Sequence, residues 1–259
     1  MSFFAPVFAS IDLDLILIAV LIMFIAGFVK GAVGFALPMV AISGIGSLMP
    51  AAIAVAAIML PAALTNLWQA LRDGPRAALG SLMAFRWYVL LIVCVMGMVA
   101  PLVSILSTEM LFIVLGGGVT FFAVLQLAGW RPGPELGKTR IATIISGVTA
   151  GVFGGLAAVT GPAVVLYLLA REVPKVEQVR LQGVIFLLGL LVVITVHGRT
   201  GVLNELTLPL SVMLIVPAIA GMGAGLLVQD RLEQETFRKA TLVVLVVAGL
   251  NLLRRGLMG

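Results

Sequence analysis

Apolar runs recur along almost the whole chain, and nothing between them is long enough for a soluble domain. Each run is near or above the roughly 18 apolar residues that mark a membrane-crossing helix. The chain is 62% hydrophobic and only 10% charged, whereas a soluble domain carries about 25% charged residues. The fold class expected is an all-α polytopic membrane protein, one integral membrane domain over residues 1–259 in contact with the lipid bilayer. A transmembrane barrel would need alternating segments of about 10 residues, and the sequence has none.

Several function classes fall away early. Met1 to Ser10 contains no lysine or arginine, so the charged start of a signal peptide is missing and the first long helix is expected to be retained. Cys94 is the single cysteine and His197 the single histidine, which leaves no thiolate cluster or paired-histidine zinc motif, and no cofactor or metal is expected. The net charge of +5 comes from basic residues in short loops, a pattern explained by membrane topology rather than by nucleic acid.

Charged and Gly/Pro breaks divide the chain into eight elements, near 13–47, 50–70, 80–105, 109–129, 139–171, 177–197, 206–228 and 236–253. Six match the length of one crossing. The first and fifth, at 35 and 33 residues, are longer and rich in glycine. One long element and three ordinary helices thus occur twice, as repeat one (about 13–129) and repeat two (about 139–253). Gly27-x-x-x-Gly31-x-x-Gly34 returns as Gly147-x-x-x-Gly151-x-x-Gly154, offset by 120. Pro38 and Pro162 follow, with four extra residues before the second.

Charge placement gives an orientation. Basic residues gather near 71–86 (Arg72, Arg76, Arg86), 131–140 (Arg131, Lys138, Arg140), 171–180 (Arg171, Lys175, Arg180) and 229–239 (Arg231, Arg238, Lys239). If both long elements are hairpins, all four loops share one face, the cytoplasmic one. Twelve basic residues lie there, against Arg199, Arg254 and Arg255 opposite. The halves are then inverted repeats, an arrangement common among secondary transporters. Both termini face the periplasm or exterior of an inner (plasma) membrane, where Arg254 and Arg255 fit poorly.

Non-helical backbone inside a bilayer needs protein or a water-filled cavity around it. Glycines permit close packing and reversal, and Pro38 and Pro162 suit the first turn of a returning helix. Thr160, before Gly161-Pro162, is placed to cap that turn. Each returning helix would aim free N–H groups into the protein, forming an anion site. Each single glycine has the plainer reading of helix packing.

The ionisable residues in or near the apolar runs are Lys30, His197 and Arg199, and no carboxylate lies mid-helix. Lys30 has two readings, a substrate cation or a side chain snorkelling to the cytoplasmic surface. His197 and Arg199 read as interfacial. Thr65, Asn66, Gln69 and Gln182 bond neighbouring helices or line a cavity. Trp68, Trp87 and Trp130 read as interfacial belt residues.

Gly27-Phe28-Val29-Lys30-Gly31-Ala32-Val33-Gly34, the following Pro38, and the echo Gly147-Val148-Thr149-Ala150-Gly151-Val152-Phe153-Gly154 resemble the TauE/SafE sulfite exporter family over essentially the whole chain. The resemblance implies a multi-pass inner-membrane permease for small sulfur-containing or carboxylate anions, often exported. Phe35 stands where that family's motif is usually richer in glycine. The expected partner is a small anionic substrate, with a homodimer possible. Candidate substrate-binding residues are Lys30, Gly31, Gly34, Pro38, Asn66, Gly151, Gly154, Thr160, Gly161, Pro162 and Gln182.

Two other classes compete with a transporter. A membrane assembly subunit would need the glycines only for folding and would tolerate any residue at 30. An intramembrane enzyme would need a nucleophile, a base and an oxyanion hole in mutual reach, and no such motif is present. Transport without catalysis is the expectation. No G-x-x-x-x-G-K-[ST] occurs, so energy would come from a gradient rather than from a nucleotide site of its own.

Overall fold

The computed structural model describes residues 3–129, 133–157, 159–229 and 234–258. Trp130, Arg131 and Arg231 lie outside the described residues. The structure is 84% helix, with no strand among the described residues. Among the described residues, six helical spans are long and apolar enough to cross a bilayer.

The first long element is broken. A short α1 (Ala5–Ser10) precedes α2 (Leu13–Val33), and α3 (Leu37–Ile45) follows a three-residue reversal. Ile22 of α2 packs on the backbone of Gly44 in α3, so α3 runs back along α2. At nine residues, about 14 Å, it stops partway. Then come α4 (Ala51–Leu71), α5 (Pro75–Ala84), α6 (Arg86–Val99) with a 3₁₀ turn at Ala100–Ser104, and α7 (Thr108–Leu127).

The fifth element is also a hairpin. After α8 (Pro134–Gly137), α9 (Arg140–Ala157) rises and α10 (Gly161–Ala170) returns. Ser146 donates to the Ala163 carbonyl at 3.1 Å, and the Thr143 and Tyr167 hydroxyls meet at 3.0 Å, as an antiparallel pair requires. The four extra residues before Pro162 have a simple fate. Where α2 ends at Val33, α9 runs to Ala157, one further helical turn. The half finishes with α11 (Lys175–Thr200), α12 (Thr207–Met213), α13 (Ile215–Gln229) and α14 (Gln234–Met258).

Two helices expected to be continuous are divided. Between α12 and α13, Pro217 has no N–H to give the Met213 carbonyl, and a single turn residue, Leu214, separates the two helices. Between α5 and α6, Phe85 departs from helical geometry, and the Arg86 guanidinium takes the Met83 carbonyl at 3.3 Å.

Glycine contacts fix how the helices run. Gly27 lies on the backbone of Ala218 and Gly31 on that of Met222, so α2 and α13 are parallel. Gly147 meets Leu91, and Gly151 meets Ile92 and Val95, so α9 and α6 are parallel as well. α4 and α11 are antiparallel, with Gly183 against Ala70. So are α7 and α14, with Gly116 on Gly249 and Gly256 on Glu109. Lipid offers helices no hydrophobic reason to associate, so close backbone approach supplies dispersion contacts instead. A Cβ at Gly31 would overlap the Met222 carbonyl oxygen.

Candidate functional site

The centre of the molecule is built by the two reversals. In hairpin one, Gly34 closes α2 in a left-handed conformation (φ 88°) and Ala36 opens α3 in another (φ 82°). Glycine adopts that region freely, whereas alanine there costs about 1–2 kcal/mol, so the surrounding packing must hold it. Ala36 and the intervening Phe35 are both buried. Pro38 takes the second position of α3, where its missing N–H has no acceptor to lose.

In hairpin two, Thr160 occupies the cap position of α10 with Pro162 in the first turn. The capping bond expected of Thr160 is not made: its backbone is already helical (φ −80°, ψ −26°), and its side chain accepts no first-turn N–H. A cap side chain reaches those groups from extended backbone, which Thr160 lacks.

The two starts face one cavity of about 430 Å³ of empty volume. Phe35, Ala36 and Pro38 line it from hairpin one, and Val159, Thr160 and Gly161 from hairpin two. Ala62 and Asn66 of α4, Met96 of α6, and Phe186 and Leu190 near the middle of α11 complete most of the wall.

Lys30 reaches this cavity from the last turns of α2. It is 3% exposed, so it does not snorkel to a surface. Its ammonium nitrogen donates to Asn66 Oδ1 and, at 3.2 Å, to Thr65 Oγ1. The Thr65 hydroxyl lies 2.8 Å from the Pro61 carbonyl, to which it donates. Both acceptors are neutral, and among the described residues no carboxylate pairs with Lys30. An ammonium has three N–H donors, and these bonds use two of them. A charge held in an apolar enclosure is expensive unless a counter-charge arrives.

What this geometry can hold is a small anion. It combines a buried amine with no carboxylate partner among the described residues and two helix N-termini whose first-turn N–H groups lack intrahelical acceptors. Apolar walls with a few convergent polar groups are typical of small-molecule sites.

Comparison with known families places the chain. The model of the family described as "Sulfite exporter TauE/SafE" matches residues 19–252. The chain belongs to the TauE/SafE family. It is therefore a multi-pass membrane protein of a transporter family. Comparisons with the curated proteins and with the solved structures gave no match.

In this TauE/SafE chain the candidate residues divide by location. Lys30, Pro38, Asn66, Thr160 and Gly161 line the central cavity. Gly31 and Gly34 line a smaller neighbouring cavity that shares Lys30. Gly151 is pressed on α6, and Gly154 lies beside Thr160 Oγ1 and Met96, neither lining the two cavities. Pro162 follows Gly161 in the first turn of α10. Gln182 is buried in α11 without lining either cavity, its Oε1 unpartnered among the described residues.

Other polar residues are placed as follows. His197 is fully buried and Arg199 exposed, both in the last turn of α11. Trp68 and Trp87 are exposed, at 40% and 72%. The misfit of Arg255 has a local explanation. Its guanidinium donates to the carbonyl of Gly46, the C-cap of α3, and stacks 4.6 Å from the Phe112 ring centre. A cation at a helix C-terminus is favourable wherever the loop charges put it. Phe186, Leu190 and Met96 were invisible as lining residues, because nothing local separates them from other apolar helix positions.

Proposed function

We propose that the protein is a gradient-driven carrier of small anions, sulfite or an organosulfonate, held at Lys30 between the hairpin tips. The observation that carries this reading is the buried Lys30 facing the central cavity with only neutral protein partners. Export across the inner membrane is the direction that the family description favours. A homodimer is compatible with this reading and is not needed for it.

The carrier reading includes inverted repeats, with both termini on the outer side. Two features support that. The first helix of each half packs, in parallel, on the helix after the second crossing of the other half: α2 on α13, and α9 on α6. The cavity wall is also paired. Phe35 and Val159, Ala36 and Thr160, Ala62 and Phe186, and Asn66 and Leu190 all line it, each pair 124 residues apart. The offset of 120 at the glycines becomes 124 once the extra turn of α9 has been passed. Alternating access by rocking one half against the other follows naturally from that layout.

The test is flux into liposomes carrying the purified protein, with sulfite, sulfoacetate and a control cation. Saturable anion uptake should fall at least about tenfold in Lys30→Ala, the loss of about 1.4 kcal/mol or more of anion stabilisation, with insertion and thermal melting unchanged. Wild-type uptake in that variant would remove Lys30 from the site. Topology is read separately, in a Cys94→Ala background. Single cysteines replacing Arg76 and Arg180 should label from the same face, and labelling from opposite faces would break the hairpin arrangement.

A further inference from the structure

Lys30 belongs to two cavities. Besides the central one, it lines a second of about 310 Å³, with Gly31, Gly34, Gln69, Arg72 and Leu226. Lys30, with its bonds to Asn66 and Thr65, therefore stands as the partition between them. Arg72 follows the last residue of α4 and is exposed, so this second space leads toward the face that carries Arg72, Arg76 and Arg180.

The charges around it are unequal. Arg180 is neutralised by Asp73 at 3.2 Å and also donates to Ser81 at 3.0 Å. Arg72 has no hydrogen bond or ion pair among the described residues. A free guanidinium at a cavity mouth with a lysine at its inner end is an electrostatic funnel for anions. Ordinary loop arginines, placed only by membrane topology, have no such cavity behind them. Arg76 is one, since it lines neither cavity.

We infer that the second cavity is the entrance from the arginine-bearing face, with Arg72 as an outer anion subsite and Lys30 as the gate to the inner one. This deepens the carrier reading and rests on it. An anion drawn to Arg72 meets Lys30 next. Transfer inward requires the ammonium to exchange its bonds with Asn66 and Thr65 for the anion. The glycines contribute by what they lack. Gly34 leaves room beside Val179, where a Cβ would lie 3.4 Å from the valine's methyl.

The experiment reads access and charge preference at the entrance itself. In a Cys94→Ala background, Leu226→Cys is treated with a sulfonate-bearing methanethiosulfonate or its trimethylammonium counterpart, from each face in turn. Val179→Cys, whose carbonyl contact with Gln69 is backbone only, serves as a second position. Labelling is expected from the arginine-bearing face, with the anionic reagent favoured about tenfold, the low end of what charge-lined clefts give. Adding Arg72→Gln should abolish that preference, while adding Arg76→Gln should leave it. Labelling only from the opposite face, or a preference indifferent to Arg72→Gln at both positions, would overturn the inference. Flux is measured on the same protein. Charge-selective labelling without any wild-type anion flux would sink the inner site and leave the entrance supported.

Discussion

Hairpin one brings to the cavity a lysine and a left-handed alanine; hairpin two brings a hydroxyl and no charge. The positions that correspond to Lys30, Thr65 and Asn66 under the proposed repeat are Ala150, Gly189 and Leu190. An even scaffold thus carries an uneven site. Two lysines facing each other in so small a space would repel and each need its own counter-charge. One lysine and two helix ends suit one small anion.

The hairpins are also held differently. Arg255 and Asn251 of α14 fasten the far end of hairpin one, by the Gly46 carbonyl and by Ser47 Oγ at 3.0 Å. Hairpin two is fastened along its length by hydroxyls. Tyr88 meets Ser146 at 2.8 Å, Ser146 meets the Ala163 carbonyl, and Tyr88 stacks on Tyr167 with ring centres 4.2 Å apart. A polar group buried in lipid must find a partner within the protein, and each hairpin has found a different one.

The largest expected effect tests what the hairpins share. Gly31→Leu and Gly151→Leu should each lower stability by about 3 kcal/mol or more, because the new side chain meets backbone or a fixed valine. Thermal melting in detergent checks this. A normal melt for either variant would break the equivalence of the α2–α13 and α9–α6 contacts.

Smaller effects should separate the two. Arg255→Leu removes a charged hydrogen bond, worth about 1.5–3 kcal/mol, and Tyr88→Phe a neutral one, worth about 1 kcal/mol. Amide hydrogen exchange should rise over residues 37–45 in the first variant and over 161–170 in the second. Equal changes in both hairpins would mean that they loosen as one body.

Much of the fold was legible locally. Lengths of apolar runs told crossings from loops, and two overlong elements rich in glycine marked the reversals, later seen as α2–α3 and α9–α10. The site was legible only where a residue type was out of place. Lys30 stands out in any apolar run, whereas Phe186 and Leu190 look like every other lipid-compatible residue. Thr160 misled for a related reason: a threonine before Gly-Pro is a good cap by pattern, but its backbone conformation decides whether the side chain can reach.

By itself the sequence determined that the chain must live in a membrane and that it crosses repeatedly. Those follow from solvent: hydrocarbon demands apolar length and rejects charge regardless of neighbours. Only the tertiary structure decided that Lys30 is buried on Asn66 and Thr65, and that Arg255 closes α3. It also decided that Gly31 and Gly151 serve different neighbours in the same way. Those are contacts between segments far apart in the chain, and no local pattern specifies which distant backbone a glycine will meet.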